Sequence, residues 1–223
     1  MIYLSHLLDS KTPSYGGRNP FELERKRSMA CGDHANDSFL HMSAHLGTHI
    51  DMPLHFYLEG QSIENFQADF WCFDFPLVIE LQPRGAVIHR ELIEALEILP
   101  ESKLRTCDML IVKTGIGAKR HLPEFWQKNP GFSPDLYAYF RSHMPALKVL
   151  GFDGISLTGF QNRDLGKVAH QAFLNPGAPI LPLEDMRLDE VFASAPLRRV
   201  LVSPLRIANC DGLPCTVIGW PAV

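Results

Sequence analysis

A chain of 223 residues, 46% hydrophobic and 21% charged, has the apolar content for a full core and the length of one globular domain. A formal net charge of −4, with a pI near 6.2, provides no basic footprint for nucleic acid or an anionic membrane surface. No apolar run reaches the roughly 20 residues of a membrane-spanning helix, and the opening MIYLSHLLDS lacks the basic and apolar regions of a secretion signal, so a soluble cytoplasmic protein is expected.

From the N-terminus, the first segment with a strong local signature is HLGTHIDMPLH, residues 45–55. His45 and His49 are four apart, the spacing of one helical face, but Gly47 lies between them and Pro53 follows. A turn leading into a short helix suits these residues better than a continuous helix. Short apolar runs then mark buried strands over 77–81, 109–112 and 149–152. Residues 90–99 place Leu92, Ile93, Leu96 and Leu99 on one helical face. Ser133-Pro134-Asp135 starts a second helix, with serine at the N-cap and proline at the first helical position. A third helix is expected from about 163 to 174, carrying Leu165, Ala169, Ala172 and Phe173. Two further strands, over 200–202 and 216–218, complete the pattern. Strands interleaved with helices indicate an α/β domain.

The five cysteines, Cys31, Cys72, Cys107, Cys210 and Cys215, contain no C-x-x-C pair. An odd, scattered set points to reduced thiols and away from a disulfide framework or zinc ribbon. Cys210 and Cys215, the one close pair, are expected to be buried free thiols.

The chemistry concentrates in the 45–55 run. His45, His49, Asp51 and His55 put four ligand-type side chains into eleven residues. Imidazole nitrogen and carboxylate oxygen are the usual donors to Zn²⁺, Mn²⁺ and Fe²⁺. A lone histidine is more often packed or solvated than ligating; three with an aspartate, spaced by Gly47, Thr48 and Pro53, favour a metal centre. His45, His49 and Asp51 make a three-ligand set with an open position for water, the mark of a catalytic site, and leave His55 as a spare base. Thr48 suits a backbone or ligand hydrogen bond better than a nucleophile's role.

The pattern His45-x-Gly47-Thr48-His49-x-Asp51-x-Pro53-x-His55 resembles the signature of the cyclase-like metal-dependent hydrolases, a family that includes bacterial kynurenine formamidase and isatin hydrolase. Leu4-Ser5-His6 followed by Thr12-Pro13 looks like that family's N-terminal strand, and Lys113-Thr114-Gly115 like its central turn. Gly151-Phe152-Asp153 with Ile155-Ser156, and Asp211-Gly212-x-Pro214 near the end, match two later segments. Arg163-x-x-Gly166-x-x-x-His170-x-x-Phe173-Leu174 is similar to a subgroup pattern, and Leu183-Glu184-Asp185-Met186 to a Glu-Asp-Met/Leu element. In formamidase-like members the glutamate falls two residues sooner, where this chain has Pro182. Either the loop is longer here or the second metal subsite is altered.

The resemblance implies a swivelling β/β/α-type α/β fold over residues 1–223 as a single domain, assembled as a homodimer or higher homo-oligomer. It implies one or two divalent ions, Zn²⁺ or Mn²⁺: one on His45, His49 and Asp51, with Asp51 able to bridge to a second on His170 and Glu184. It also implies hydrolysis of a carbon–nitrogen bond in a small amide, aryl formamide or lactam, with His55 as acid/base, since an imidazole pKa of about 6.5 suits both directions of proton transfer. Phe56, Tyr57, Phe66, Trp71 and Phe73 follow the motif and are candidates for an apolar substrate wall; Gln161 and Arg163 are candidates to orient a substrate carbonyl or carboxylate. A hydrolase of another cyclic or ester substrate, or a binding protein without turnover, are the competing readings. The retained His55 speaks against the last, because a pure binding site needs no free base beside the water.

Overall fold

A computed structural model describes residues 1–222 of the chain. The described residues form strands β1 (Ile2–Tyr3), β2 (Glu22–Arg27), β3 (Asp37–His41), β4 (His49–Asp51), β5 (Cys72–Phe73), β6 (Pro76–Glu80), β7 (Val87–Ile88), β8 (Met109–Lys113), β9 (Gly131–Phe132), β10 (Val149–Phe152), β11 (Leu181–Glu184), β12 (Leu197–Pro204) and β13 (Gly212–Pro221). Five α-helices accompany them: α1 (Arg90–Glu97), α2 (Glu101–Thr106), α3 (Glu124–Gln127), α4 (Asp135–His143) and α5 (Arg163–Phe173).

The three central apolar runs become β6, β8 and β10, which lie side by side and parallel, with β11 parallel to β10. Their sequences are continuously apolar because both faces are buried. Val78, Met109, Ile111 and Val149 enter one core, while Leu77, Ile79, Leu110, Val112, Leu150 and Phe152 enter the other. Helices α1, α4 and α5 close the second core with Leu92 and Leu96, Leu136 and Phe140, and Ala169 and Phe173. Fully burying a side chain such as Phe140 contributes about 1.5–3 kcal/mol from removed apolar surface. The runs at 200–202 and 216–218 are the middles of the longer β12 and β13. Helix α4 begins as its sequence signals: Pro134 already has helical dihedrals, and Ser133 Oγ accepts the Asp135 N–H.

Nine strands make one mixed sheet in the order β5-β12-β13-β4-β11-β10-β8-β6, with β1 added to β13. The parallel half and the antiparallel half meet at β4. Strand β12 also approaches β6, so the sheet curls toward a nearly closed barrel around the first core. Thus β4, only three residues long, sits at the centre of the sheet. The 45–55 run therefore forms a turn, this strand, and a single 3-10 turn over Pro53–His55. The expected turn and short helix are there; the intervening strand has no local sequence pattern to announce it.

All five thiols are free: Cys107 and Cys215 are buried, Cys210 is partly so, and Cys31 and Cys72 are exposed. Among the described residues no helix is long and apolar enough to cross a membrane. Among the described residues the β2–β3 hairpin pairs only with itself, and both of its strands are exposed, including Leu23, Phe39 and Leu40.

Candidate metal centre

Strand register builds the site. In β4, His49 and Asp51 are two apart and share a face, whereas Ile50 points into the first core. Strand β11 sets Glu184 directly opposite His49, and β13 sets Gly212 opposite Asp51. Pro182 lies earlier in β11, beside Leu150 of β10, so the glutamate that meets the cluster is the one at 184. Helix α5 supplies His170 from its last turn.

Four buried side chains converge. His49 Nε2 lies 3.4 Å from Asp51 Oδ1 and 3.4 Å from Glu184 Oε2. His170 Nε2 lies 3.4 Å from Asp51 Oδ2 and 3.7 Å from Glu184 Oε1. None of the four residues is more than 4% exposed. Both imidazoles are aimed by backbone: His49 Nδ1 donates to the Gly47 carbonyl at 2.8 Å, and His170 Nδ1 to the Gly166 carbonyl at 2.9 Å. That fixes the tautomer in which Nε2 presents its lone pair to the centre.

Lone pairs on nitrogen then face lone pairs on carboxylate oxygen, a repulsive arrangement unless a proton or a cation lies between them. Protons alone resolve it in one way. Burial by itself would lower the His170 pKa, but the contacts with Asp51 and Glu184 outweigh it and push it up to about 10. His49 is held well above the ordinary 6.5 by the same two carboxylates, against its burial. Burial would raise Asp51, yet His170 and His45 hold it well below the ordinary carboxylate range. A divalent cation resolves it in another way. Borderline nitrogen donors with hard carboxylate oxygens suit Zn²⁺ or Mn²⁺, and ligands bound at roughly 2.0–2.1 Å in a tetrahedron stand roughly 3.3–3.4 Å apart, close to the spacings found. The donor set fits a metal ion.

This has a consequence for stability. The folded-state pKa of His170 lies above the unfolded value of 6.5, so between 6.5 and about 10 the folded protein binds more protons than the unfolded chain. Its contribution is fully present below 6.5 and is lost as pH rises through 10. Chelator-treated protein is therefore expected to melt at progressively lower temperature from pH 7 to pH 9.5. With Zn²⁺ added the decline should shrink, because the cation holds Nε2 without a proton; equal declines would contradict the assignment.

His45 and His55, the remaining histidines of the run, also lie close to Asp51. His45 Nδ1 lies 2.8 Å from Asp51 Oδ1 and its Nε2 3.0 Å from Asp211 Oδ2. Its ring lies where a β-carbon on Gly212 would come within 2.4 Å of it, so only glycine fits opposite Asp51. His55 tilts over His45 with ring centroids 4.1 Å apart and places Nδ1 3.1 Å from Asp211 Oδ2. His45, Asp51 and His55 form a second trio of potential donors, sharing Asp51 with the first. Thr48 is structural: its hydroxyl donates to the Asp185 carbonyl at 2.6 Å and accepts the His6 N–H. Asp185 itself is gripped by Arg120, with Nε 2.8 Å from Oδ1 and Nη2 2.7 Å from Oδ2, which steadies the backbone beside Glu184.

His45, His49, Asp51, His55, His170 and Glu184 line a cavity of about 330 Å³, together with Tyr15, Phe56, Ser156, Arg163 and Lys167. A larger cavity of about 800 Å³, beside Tyr3, His6 and Leu205, contains none of the donors, and we assign the chemistry to the smaller one. Phe56 stacks on His170 at 4.8 Å. Trp71 does not reach this space: it is 6% exposed and packs with Phe66 and Phe70, because the 3-10 turn at Ala68–Trp71 directs it into the first core. Phe66, just after the Ile63–Asn65 turn, and Phe73, in β5, also belong to that core, and the Tyr57 hydroxyl donates to the Gln171 carbonyl. Gln161 is also outside the cavity; it lies in the exposed turn before α5, and its amide donates to the Gln127 carbonyl. Sequence reasoning missed Asp211, Arg120, Tyr15 and Lys167 as parts of the surroundings. Only Asp211 had a signal, in the Asp211-Gly212-x-Pro214 segment.

The Putative cyclase family matches residues 2–158, which include the entire 45–55 run. Kynurenine formamidase of Geobacillus thermodenitrificans is 29% identical over 218 residues, covering 96% of this chain and 93% of that protein. A solved structure of a potential metal-dependent hydrolase with cyclase activity aligns with a TM-score of 0.74 at 20% identity, over 98% of this chain and 96% of that one. Isatin hydrolase A from Ralstonia solanacearum aligns with a TM-score of 0.76 at 17% identity, over 98% and 90%. These structural likenesses establish a shared mixed α/β fold. With the family match spanning well over half of its length, the chain belongs to the Putative cyclase family.

Proposed function

We propose that this chain, as one domain, is a divalent-metal-dependent hydrolase that cleaves a carbon–nitrogen bond in a small amide, aryl formamide or lactam. The observation that carries the reading is the convergence of His49, Asp51, His170 and Glu184, with His55 beside them at the cavity. The names of its relatives, kynurenine formamidase and isatin hydrolase, support an amide-type substrate. We assign His45, His49, Asp51, His170 and Glu184 to hold Zn²⁺ or Mn²⁺. A bound divalent ion lowers the pKa of a coordinated water towards roughly 7 and stabilises negative charge on a carbonyl oxygen.

The chain's own residues do the rest. Asp211 fixes one face of His55 through Nδ1, leaving Nε2 to accept a proton from water and return it to the leaving nitrogen. Burial lowers the His55 pKa from 6.5, so the neutral base is the resting form at neutral pH. Phe56 offers an apolar surface beside His170. A screen of aryl formamides against isatin-like lactams, with and without chelator, tests the reading. Turnover of at least one class is expected, abolished by the chelator and restored by Zn²⁺ or Mn²⁺; turnover indifferent to chelation would sink it.

A homodimer in the cytoplasm is part of the same proposal; the free thiols support that compartment. The dimer is supported by the β2–β3 hairpin, since a two-stranded hairpin with apolar side chains in water is at best marginally stable by itself. Strand β2 reads Glu22-Leu23-Glu24-Arg25-Lys26-Arg27, acidic then basic, and so complements a second copy of itself laid antiparallel. Light scattering should give twice the 25.1 kDa chain mass. Reversing the acidic half (Glu22→Lys, Glu24→Lys) or the basic half (Arg25→Glu, Arg27→Glu) should give monomers, and mixing the two variants should restore dimers. Monomeric wild type, or dimers in each variant alone, would rule this interface out.

A further inference from the structure

Helix α5 carries Arg163, Lys167 and His170 at spacings of four and three, along one face, and all three line the donor cavity. That face leads from two cations to a metal-ligand candidate. Arg84, Arg120, Arg187 and Arg199 each pair with a carboxylate, but Arg163 does not pair with one among the described residues. Its guanidinium instead lies 4.1 Å from the centroid of the Phe160 ring. Phe160 is held edge-on by Tyr15 and Trp126, at centroid distances of 5.6 and 4.7 Å. An aromatic pedestal thus holds the fork of the arginine beside the Tyr15 hydroxyl, with no carboxylate occupying its donors among the described residues.

Tyr15 adds an independent observation. Its hydroxyl is buried, Tyr15 lines the same cavity, and among the described residues the hydroxyl makes no well-formed hydrogen bond, its polar neighbour being the Arg163 guanidinium. Buried polar atoms are rarely left so, and one that lines a ligand cavity is satisfied by water when the cavity is empty and is available to a ligand atom when it is filled. A hydroxyl donor beside an unpaired guanidinium matches a planar oxyanion, for which the arginine fork is shaped.

We propose that the substrate carries a carboxylate, bound by Arg163 and the Tyr15 hydroxyl, with its scissile bond directed to the donor cluster. Lys167, exposed and 3.3 Å from Asp164, adds positive field at the same edge. His170 lies seven steps along the helix from Arg163, roughly 10 Å along the axis, which leaves room for an aromatic ring between carboxylate and reacting carbonyl. The inference rests on the hydrolase reading and narrows it to anionic members of the substrate class.

A matched pair of probes tests it: 4-formamidobenzoate and its neutral analogue 4-formamidobenzamide. Wild type should prefer the benzoate in kcat/KM by about tenfold or more, mostly through KM, as expected for charge-assisted hydrogen bonds. Arg163→Gln should bring the two probes within about twofold of each other, and Tyr15→Phe should reduce the preference part-way. Metal content of each variant, measured in the same samples, should equal that of wild type, which separates lost recognition from a damaged centre. Equal handling of both probes by wild type, or a preference that survives Arg163→Gln, would overturn the proposal. If neither probe is hydrolysed, the hydrolase reading has failed separately, and calorimetry with 4-aminobenzoate decides the subsite: binding weakened about tenfold by Arg163→Gln supports it, and unchanged binding overturns it.

Discussion

Asp51→Asn protein is expected to purify with less than about a tenth of the wild-type metal and to lose turnover by about 10³-fold or more. Asparagine has the same shape, so packing around β4 is preserved and the change is one of charge. Asp51 is 1% exposed and lies against three imidazoles: His45 Nδ1 at 2.8 Å, His49 Nε2 at 3.4 Å and His170 Nε2 at 3.4 Å. It is shared by both trios of potential donors, so no other single residue should weaken both subsites at once. Plasma mass spectrometry of the purified variant, with turnover measured alongside, checks this. Full metal content with normal turnover would remove Asp51 from the centre.

His55→Ala is expected to behave differently, losing about 10²–10⁴-fold in turnover while keeping its metal. The ring sits at the cavity edge with 31% of its side chain exposed and with Nδ1 anchored on Asp211. Nε2 is therefore the atom offered to a proton. Burial holds the pKa of His55 below 6.5, so the base form should persist at neutral pH and kcat/KM should fall only on an acid limb below about 6.5. Asp211→Asn should give a smaller loss with the same metal content, since it orients the base without replacing it. Parallel loss of metal and turnover in His55→Ala would instead make His55 a ligand, completing the trio with His45 and Asp51.

The parts of this architecture legible in the sequence are those with an internal pattern. Strands β6, β8 and β10 are continuously apolar because each is buried on both faces, and α1 shows an apolar stripe because it is buried on one; α5 is less regular, since Leu165 is exposed and its buried face is Gly166, Ala169, His170 and Phe173. Strand β4 carries no such signal: His49-Ile50-Asp51 is two ligand-type residues around one apolar residue, and it is a strand only because β11 and β13 flank it. Strand β11 contains Pro182 and ends on a carboxylate, both of which speak against a strand until its neighbours are known. His45, His49 and Asp51 can be named because histidine and aspartate at this spacing are unusual, whereas His170 and Glu184 are named only through the family resemblance. What joins them is long-range: Asp211 lies 156 positions from His55, and no local pattern foretells the contact. Trp71 and Gln161 show the converse, since closeness in sequence to the 45–55 run or to His170 does not fix the side to which a residue turns.

If His49, Asp51, His170 and Glu184 gather around a divalent ion needed for turnover, metal content and activity must rise and fall together. The most direct measurement is metal content and aryl formamide turnover on the same sample, before chelation, after it, and after readdition of ion. One or two equivalents of Zn²⁺ or Mn²⁺, with activity lost and regained in step with them, is the predicted result. A folded, metal-free protein that hydrolyses the substrate at an undiminished rate would contradict it.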